Sequence, residues 1–244
     1  MNVRTLLLTA STLALQPQLT TPAAAEDWET TLTPYLWAFG IDGDIKAQGE
    51  EFNTSTDFSD IVDNLDFGGS FMLEANKGTW VNFLQLDYLS LSNGDIETRA
   101  TGVEGRLEFD STLAAVATGY RVTMSEKSSI DVLVGLRYAN LDAEARIKSL
   151  GLSRESENDQ YDGILMLRPR IALSKYWSFS PTLSAGAGDS DLTWELSPEV
   201  VYTNDCCNLE FRAGYRNLNY ELENGNDELD ISLRGPMIGL GFKF

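Results

Sequence analysis

From Pro236 to Phe244 every second residue is apolar: Pro236, Ile238, Leu240, Phe242 and Phe244, with Met237, Gly239, Gly241 and Lys243 between them. A period of two is the pattern of a β-strand with one apolar face and one different face. The same alternation returns in eight internal segments, near 67–75, 79–91, 103–121, 129–141, 162–173, 177–186, 191–203 and 208–222. Val132, Val134, Leu136 and Tyr138, for example, oppose Asp131, Gly135 and Arg137, and Leu165, Leu167, Ile171 and Leu173 oppose Met166, Arg168 and Arg170. Near 103–121 the reading puts Val103, Leu107, Phe109, Leu113 and Ala115 on the apolar face, against Glu104, Arg106, Glu108, Asp110 and Thr112. The first strand, 28–40, is ambiguous, because Tyr35-Leu36-Trp37-Ala38-Phe39 is apolar on both faces.

Turn signals separate these segments. Short ones stand at Asn76-Lys77-Gly78, Ser125-Glu126-Lys127-Ser128, Ser174-Lys175-Tyr176 and Asn204-Asp205, and alternate with longer, more acidic connections near 42–65, 92–102, 147–161, 187–190 and 223–228. Four short turns and five longer connections predict ten strands with both ends on one side, although eight or twelve are compatible with so short a connection as 187–190. The fold class is therefore all-β: a transmembrane, antiparallel, up-and-down barrel, apolar outside and polar inside. A soluble barrel would carry the reverse pattern. Trp28, Trp80, Trp177, Tyr202 and Phe242 lie near the short turns, where an interfacial girdle is expected. Pro34, Pro169 and Pro198 fall inside proposed strands and cannot donate to a ladder, so each is expected at a bulge or strand end.

The amino terminus has the form of a secretory signal. Arg4 precedes an apolar run from Leu6 to Leu15, and Pro22-Ala23-Ala24-Ala25 offers cleavage after Ala25, leaving 26–244 as one barrel domain. No stretch approaches eighteen consecutive apolar residues. An exported chain without a spanning helix enters a membrane only as a closed barrel. Residues 26–244 carry 17 basic and 37 acidic side chains, a balance that disfavours nucleic acid and anionic lipid surfaces as partners. Cys206 and Cys207 are adjacent, so either two ordinary turn residues or a strained or intermolecular disulfide is compatible with them.

The carboxy-terminal strand, ending on Phe242 and Phe244, resembles that of bacterial outer-membrane barrels, which implies recognition by the barrel-assembly machinery and by periplasmic chaperones. Leu32-Thr33-Pro34-Tyr35-Leu36-Trp37-Ala38, Gly40-Ile41-Asp42-Gly43-Asp44, Phe58-Ser59-Asp60-Ile61 and the ending Gly235-Pro236 to Phe242 look like a recurring family of uncharacterised proteobacterial outer-membrane barrels. The resemblance implies fold, an outer-membrane location with periplasmic termini and contact with membrane lipid, and no particular activity.

The chain contains no histidine. The resemblance to outer-membrane barrels implies that an enzyme of this class would use one as acid or base, and activating a serine without one needs a less usual base. We therefore read the chain as non-enzymatic, with no cofactor and no metal. The acids around 50–66 do not match a calcium loop in spacing and read as a solvated segment, with a short helix allowed at 59–65. What remains is the interior. Arg137, Arg168, Arg170, Arg212 and Arg216 face inward, and Glu74, Asp87, Glu195 and Glu199 are their natural partners. These nine either pair and close the lumen, giving a structural or surface-interaction barrel, or line a narrow, anion-preferring pore for a small solute or ion.

Overall fold

The computed structural model describes residues 27–47, 50–56, 65–97, 104–126, 128–147, 152–156, 159–204, 208–224 and 227–244. The signal segment, the Cys206–Cys207 pair and the 59–65 helix expected from spacing lie outside them or nearly so. Ten antiparallel strands run in chain order. We number them β1 (Glu29–Trp37, continued by Gly40–Ala47), β2 (Glu50–Thr56 and Leu65–Lys77), β3 (Trp80–Glu97), β4 (Glu104–Ser125) and β5 (Ser128–Ile147). They continue as β6 (Leu152–Ser156 and Asp159–Ala172), β7 (Trp177–Phe179 and Thr182–Gly188), β8 (Leu192–Ser197 and Glu199–Asn204), β9 (Leu209–Asn224) and β10 (Asp227–Lys243). Each pairs with the next, and β10 returns to β1 with Leu32 opposite Phe242 and Trp37 opposite Met237, so the sheet closes. Closure leaves no terminal edge strand among the described residues, and its ladders satisfy the paired backbone where lipid offers no partner.

The outer face is the apolar one. Val116, Val134, Leu136, Leu165, Leu183, Leu196, Phe211, Ile238 and Leu240 are all exposed, as a bilayer-covered belt requires. Aromatic pairs mark the short-turn rim: Trp80 lies 4.8 Å edge-on from Tyr120, and Trp177 lies 5.0 Å from Tyr202. Trp28 has Lys77 Nζ 5.9 Å above its ring. At the other rim Tyr138 and Tyr161 are 4.9 Å apart.

Three expectations are corrected. In β4 the register turns Leu113 and Ala115 inward, with Ala117, and leaves Asp110 and Val116 outside; the run Leu113-Ala114-Ala115-Val116-Ala117 is apolar on both faces, so alternation alone could not choose. The interior is also not uniformly polar, since Val81, Phe83, Leu133, Met166, Leu218 and Leu233 are buried in it. Finally, much of 42–65, 92–102 and 147–161 is strand rather than loop. Gly40–Ala47 pairs with both Glu50–Thr56 and β10, β3 runs to Glu97, and Leu152–Ser156 pairs with β5. Beyond the bilayer the outer face has no need to be apolar, so the pattern that marks a spanning strand is lost while the ladder continues.

The prolines sit inside strands, each beside a break in one ladder. Pro34 pairs with Phe71 of β2, while on the β10 side the register skips Thr33 and Pro34. Pro169 pairs with Ile130 and turns its other side to the gap around Pro181 that divides β7. Pro198 divides β8. One interruption shared by facing prolines removes fewer ladder bonds than two separate ones.

Candidate functional site

All nine ionisable residues expected in the lumen face it, and they form two layers. The lower layer, toward the short turns, centres on Glu74 of β2. Its carboxylate accepts from Arg168 Nη2 at 2.6 Å and Arg212 Nη2 at 2.9 Å, with Arg170 at 3.8 Å. Arg212 also meets Glu210 at 3.1 Å and Glu199 at 3.6 Å, and Glu210 is further held by Lys243 at 2.7 Å and Arg170 at 3.4 Å. Arg168 stacks its guanidinium 4.3 Å from the centre of the Phe83 ring. Beside this layer Arg121 and Asp131 form a bidentate pair at 2.7 and 2.9 Å.

The middle layer centres on Glu195 of β8, bonded to Arg137 at 2.7 Å and Arg216 at 3.0 Å. Arg216 reaches on to Asp87 at 2.7 Å, and Asp87 accepts from the Tyr35 hydroxyl at 2.5 Å. Gln85 donates to Tyr35, Ser184 and Thr193 accept from Arg137, and Ser197 donates to Glu195. The Arg216 guanidinium lies 4.2 Å from the Trp37 ring centre. Arg212 and Arg216 are 1 % and 2 % exposed, so these are desolvated charges. Their bare burial would cost several kcal/mol each, and only dense pairing makes them tenable.

Two features decide what the arrangement can do. The spaces remaining beside Arg137 and Arg216, and beside Arg168 and Arg170, measure about 0 and 10 Å³, room for at most a single water molecule. Charge is nearly balanced. Among the described residues the lower layer and the Arg121–Asp131 pair set Arg121, Arg168, Arg170, Arg212 and Lys243 against Glu74, Asp131, Glu199 and Glu210, and the middle layer sets Arg137 and Arg216 against Asp87 and Glu195. Asp162 is held by Ser190 through its backbone N–H and hydroxyl.

Sequence reasoning missed Glu210, Tyr35 and Gln85 as members of this site. Glu210 was legible, since it shares a strand face with Arg212. Tyr35 was not, because its neighbours are apolar on both faces. Among the described residues no group of three His, Cys, Asp or Glu side chains is arranged to hold a metal.

No family model matches the chain, and no curated protein resembles it closely enough to be matched. Solved structures do align with it. The translocator domain of the autotransporter NalP from Neisseria meningitidis has 12 % identity, covers 93 % of this chain and 91 % of its own, and gives a TM-score of 0.44. The outer membrane protein OprG from Pseudomonas aeruginosa has 11 % identity over 90 % and 97 %, at 0.39. Ail, the attachment invasion locus protein of Yersinia pestis, in complex with a heparin analogue, has 9 % identity over 89 % and 99 %, at 0.38. Likeness at this level says nothing of ligand or role. The transmembrane barrel stands on the closed ladder and the apolar outer belt.

Proposed function

We propose that this chain is a non-enzymatic barrel of the bacterial outer membrane whose lumen is a structural plug, leaving a structural or surface-interaction role to its long-connection rim. One observation carries this reading: two layers of buried arginines and carboxylates densely paired with one another. A pore needs a continuous wet path, and this pairing across the lumen argues against one. Location rests on the signal-like amino terminus and the apolar belt. Termini and short turns then face the periplasm, and Phe242 and Phe244 serve as the assembly signal for the barrel-assembly machinery.

Planar-bilayer conductance of the refolded protein tests the plug. The wild type is expected to be silent, and a variant carrying Arg168→Ala and Arg212→Ala to pass current, because two bulky side chains leave the lower layer and expose unpaired carboxylates to entering water. Discrete channel steps from the wild type would overturn the plug and favour a narrow pore for small solutes or ions.

A further inference from the structure

Above the middle layer the interior changes character. A cavity of about 400 Å³ opens there, lined from inside by Tyr35, Trp37, Phe39, Leu89, Leu113 and Met237. Its size falls within the range of small-molecule sites, and its walls are apolar and aromatic, as such sites are. Tyr35 and Asp87 bound it on the side of the ion pairs and are already committed to each other. Trp37, 8 % exposed, lines the cavity and also carries the Arg216 guanidinium 4.2 Å from its ring centre.

The cavity also lies in the wall itself. Its lining includes Leu36, Tyr88 and Ile238, whose side chains point outward and are exposed. The register explains how residues of both faces meet there. The β1–β2 ladder runs up to Tyr35 opposite Ser70 and resumes only at Ile41 opposite Thr56. Over this interval β1 stays on β10, pairing Leu36 with Ile238 and Trp37 with Met237. Gly68 and Gly69 stay on β3, opposite Leu89 and Tyr88. Among the described residues the two strands therefore diverge, and the seam between them communicates with the cavity.

We infer that this cavity binds a small apolar molecule, held against Trp37 and Phe39 and reached through the seam between β1 and β2. The inference is independent of whether the lumen conducts. An acyl chain of the surrounding lipid and a free apolar compound share this chemistry.

Photolabelling separates the two sources. The full chain in lipid nanodiscs is irradiated either with benzophenone in the aqueous phase or with phosphatidylcholine carrying a diazirine in its acyl chain, and labelled peptides are mapped by mass spectrometry. Labelling by either reagent at the inward residues Trp37, Phe39, Leu89 or Met237 is expected, benzophenone assigning a free compound and the lipid reagent an acyl chain. Leu113→Trp, which enlarges a buried side chain of the inner cavity wall, is expected to lower that labelling about tenfold, the factor that 1.4 kcal/mol of lost affinity produces, while the circular dichroism of the barrel stays unchanged. Absence of inward labelling with both reagents, or labelling indifferent to Leu113→Trp in a folded variant, would overturn the site.

Discussion

Replacing Glu74 with Ala is expected to destabilise the barrel by about 3–5 kcal/mol, the cost of leaving buried charges without their counter-ion. Glu74 is the shared acceptor of Arg168 and Arg212 and lies within 3.8 Å of Arg170. Arg212 would keep Glu210 and Glu199, whereas Arg168 would lose its close ion pair and keep its 3.4 Å bond to Thr182 and the face of Phe83. The measurement is the guanidinium unfolding midpoint in lipid vesicles, followed by tryptophan fluorescence. Two companions make the result specific. Glu74→Gln keeps an acceptor and should lose less. Glu74→Leu combined with Arg168→Met removes both members of the closest pair and should recover much of the loss, since a well-packed apolar replacement of a buried pair is often neutral. If the double variant is no better than Glu74→Ala, the loss comes from packing rather than from an orphaned charge.

The second large effect needs only one methyl group. Gly135 of β5 lies beside Val116 and Ala117 of β4, and a Cβ there would stand 2.1 Å from the Val116 carbonyl oxygen and 2.7 Å from the Ala117 Cα. Those are backbone atoms within the β4–β5 ladder, where Ala117 pairs with Gly135. They can retreat only by opening that ladder. Gly135→Ala is therefore expected to cost about 3 kcal/mol or more, above the usual overpacking penalty of a flexible core, and to reduce the yield of folded barrel. Gly69→Ala adds the same methyl group where nothing lies within 4 Å and should change stability by less than about 0.5 kcal/mol. Equal losses in the two variants would show that glycine is needed for reasons other than contact.

The contrast between legible and illegible features follows from one physical fact: a pattern is readable where the environment on its two sides differs. Val132 to Tyr138 and Ile238 to Phe244 separate lipid from lumen, and their faces followed directly from alternation. At Tyr35-Leu36-Trp37 and Leu113-Ala114-Ala115 both sides are apolar, so the register had to come from the closed ladder. There the cavity lies, and the sequence pattern carried no sign of it. The charged layers were half legible. The five arginines and four acids announced themselves by standing opposite apolar neighbours, whereas the pairing of Arg168 with Glu74, 94 residues apart, depends on which strands face each other across the lumen.

The uneven length of the wall has a consequence for reach. The strand β4 has 22 residues, which at about 3.3 Å each give a length of about 70 Å. Tilted by roughly 40°, such a strand rises about 55 Å, against a hydrocarbon layer of about 30 Å. The excess is not shared between the two sides, because the short turns sit next to the aromatic rim. The barrel thus stands as a mast, planted at one interface and rising well clear of the lipid headgroups at the other. Whatever its tips touch, they meet it at a distance from the membrane that a barrel of membrane height could not attain.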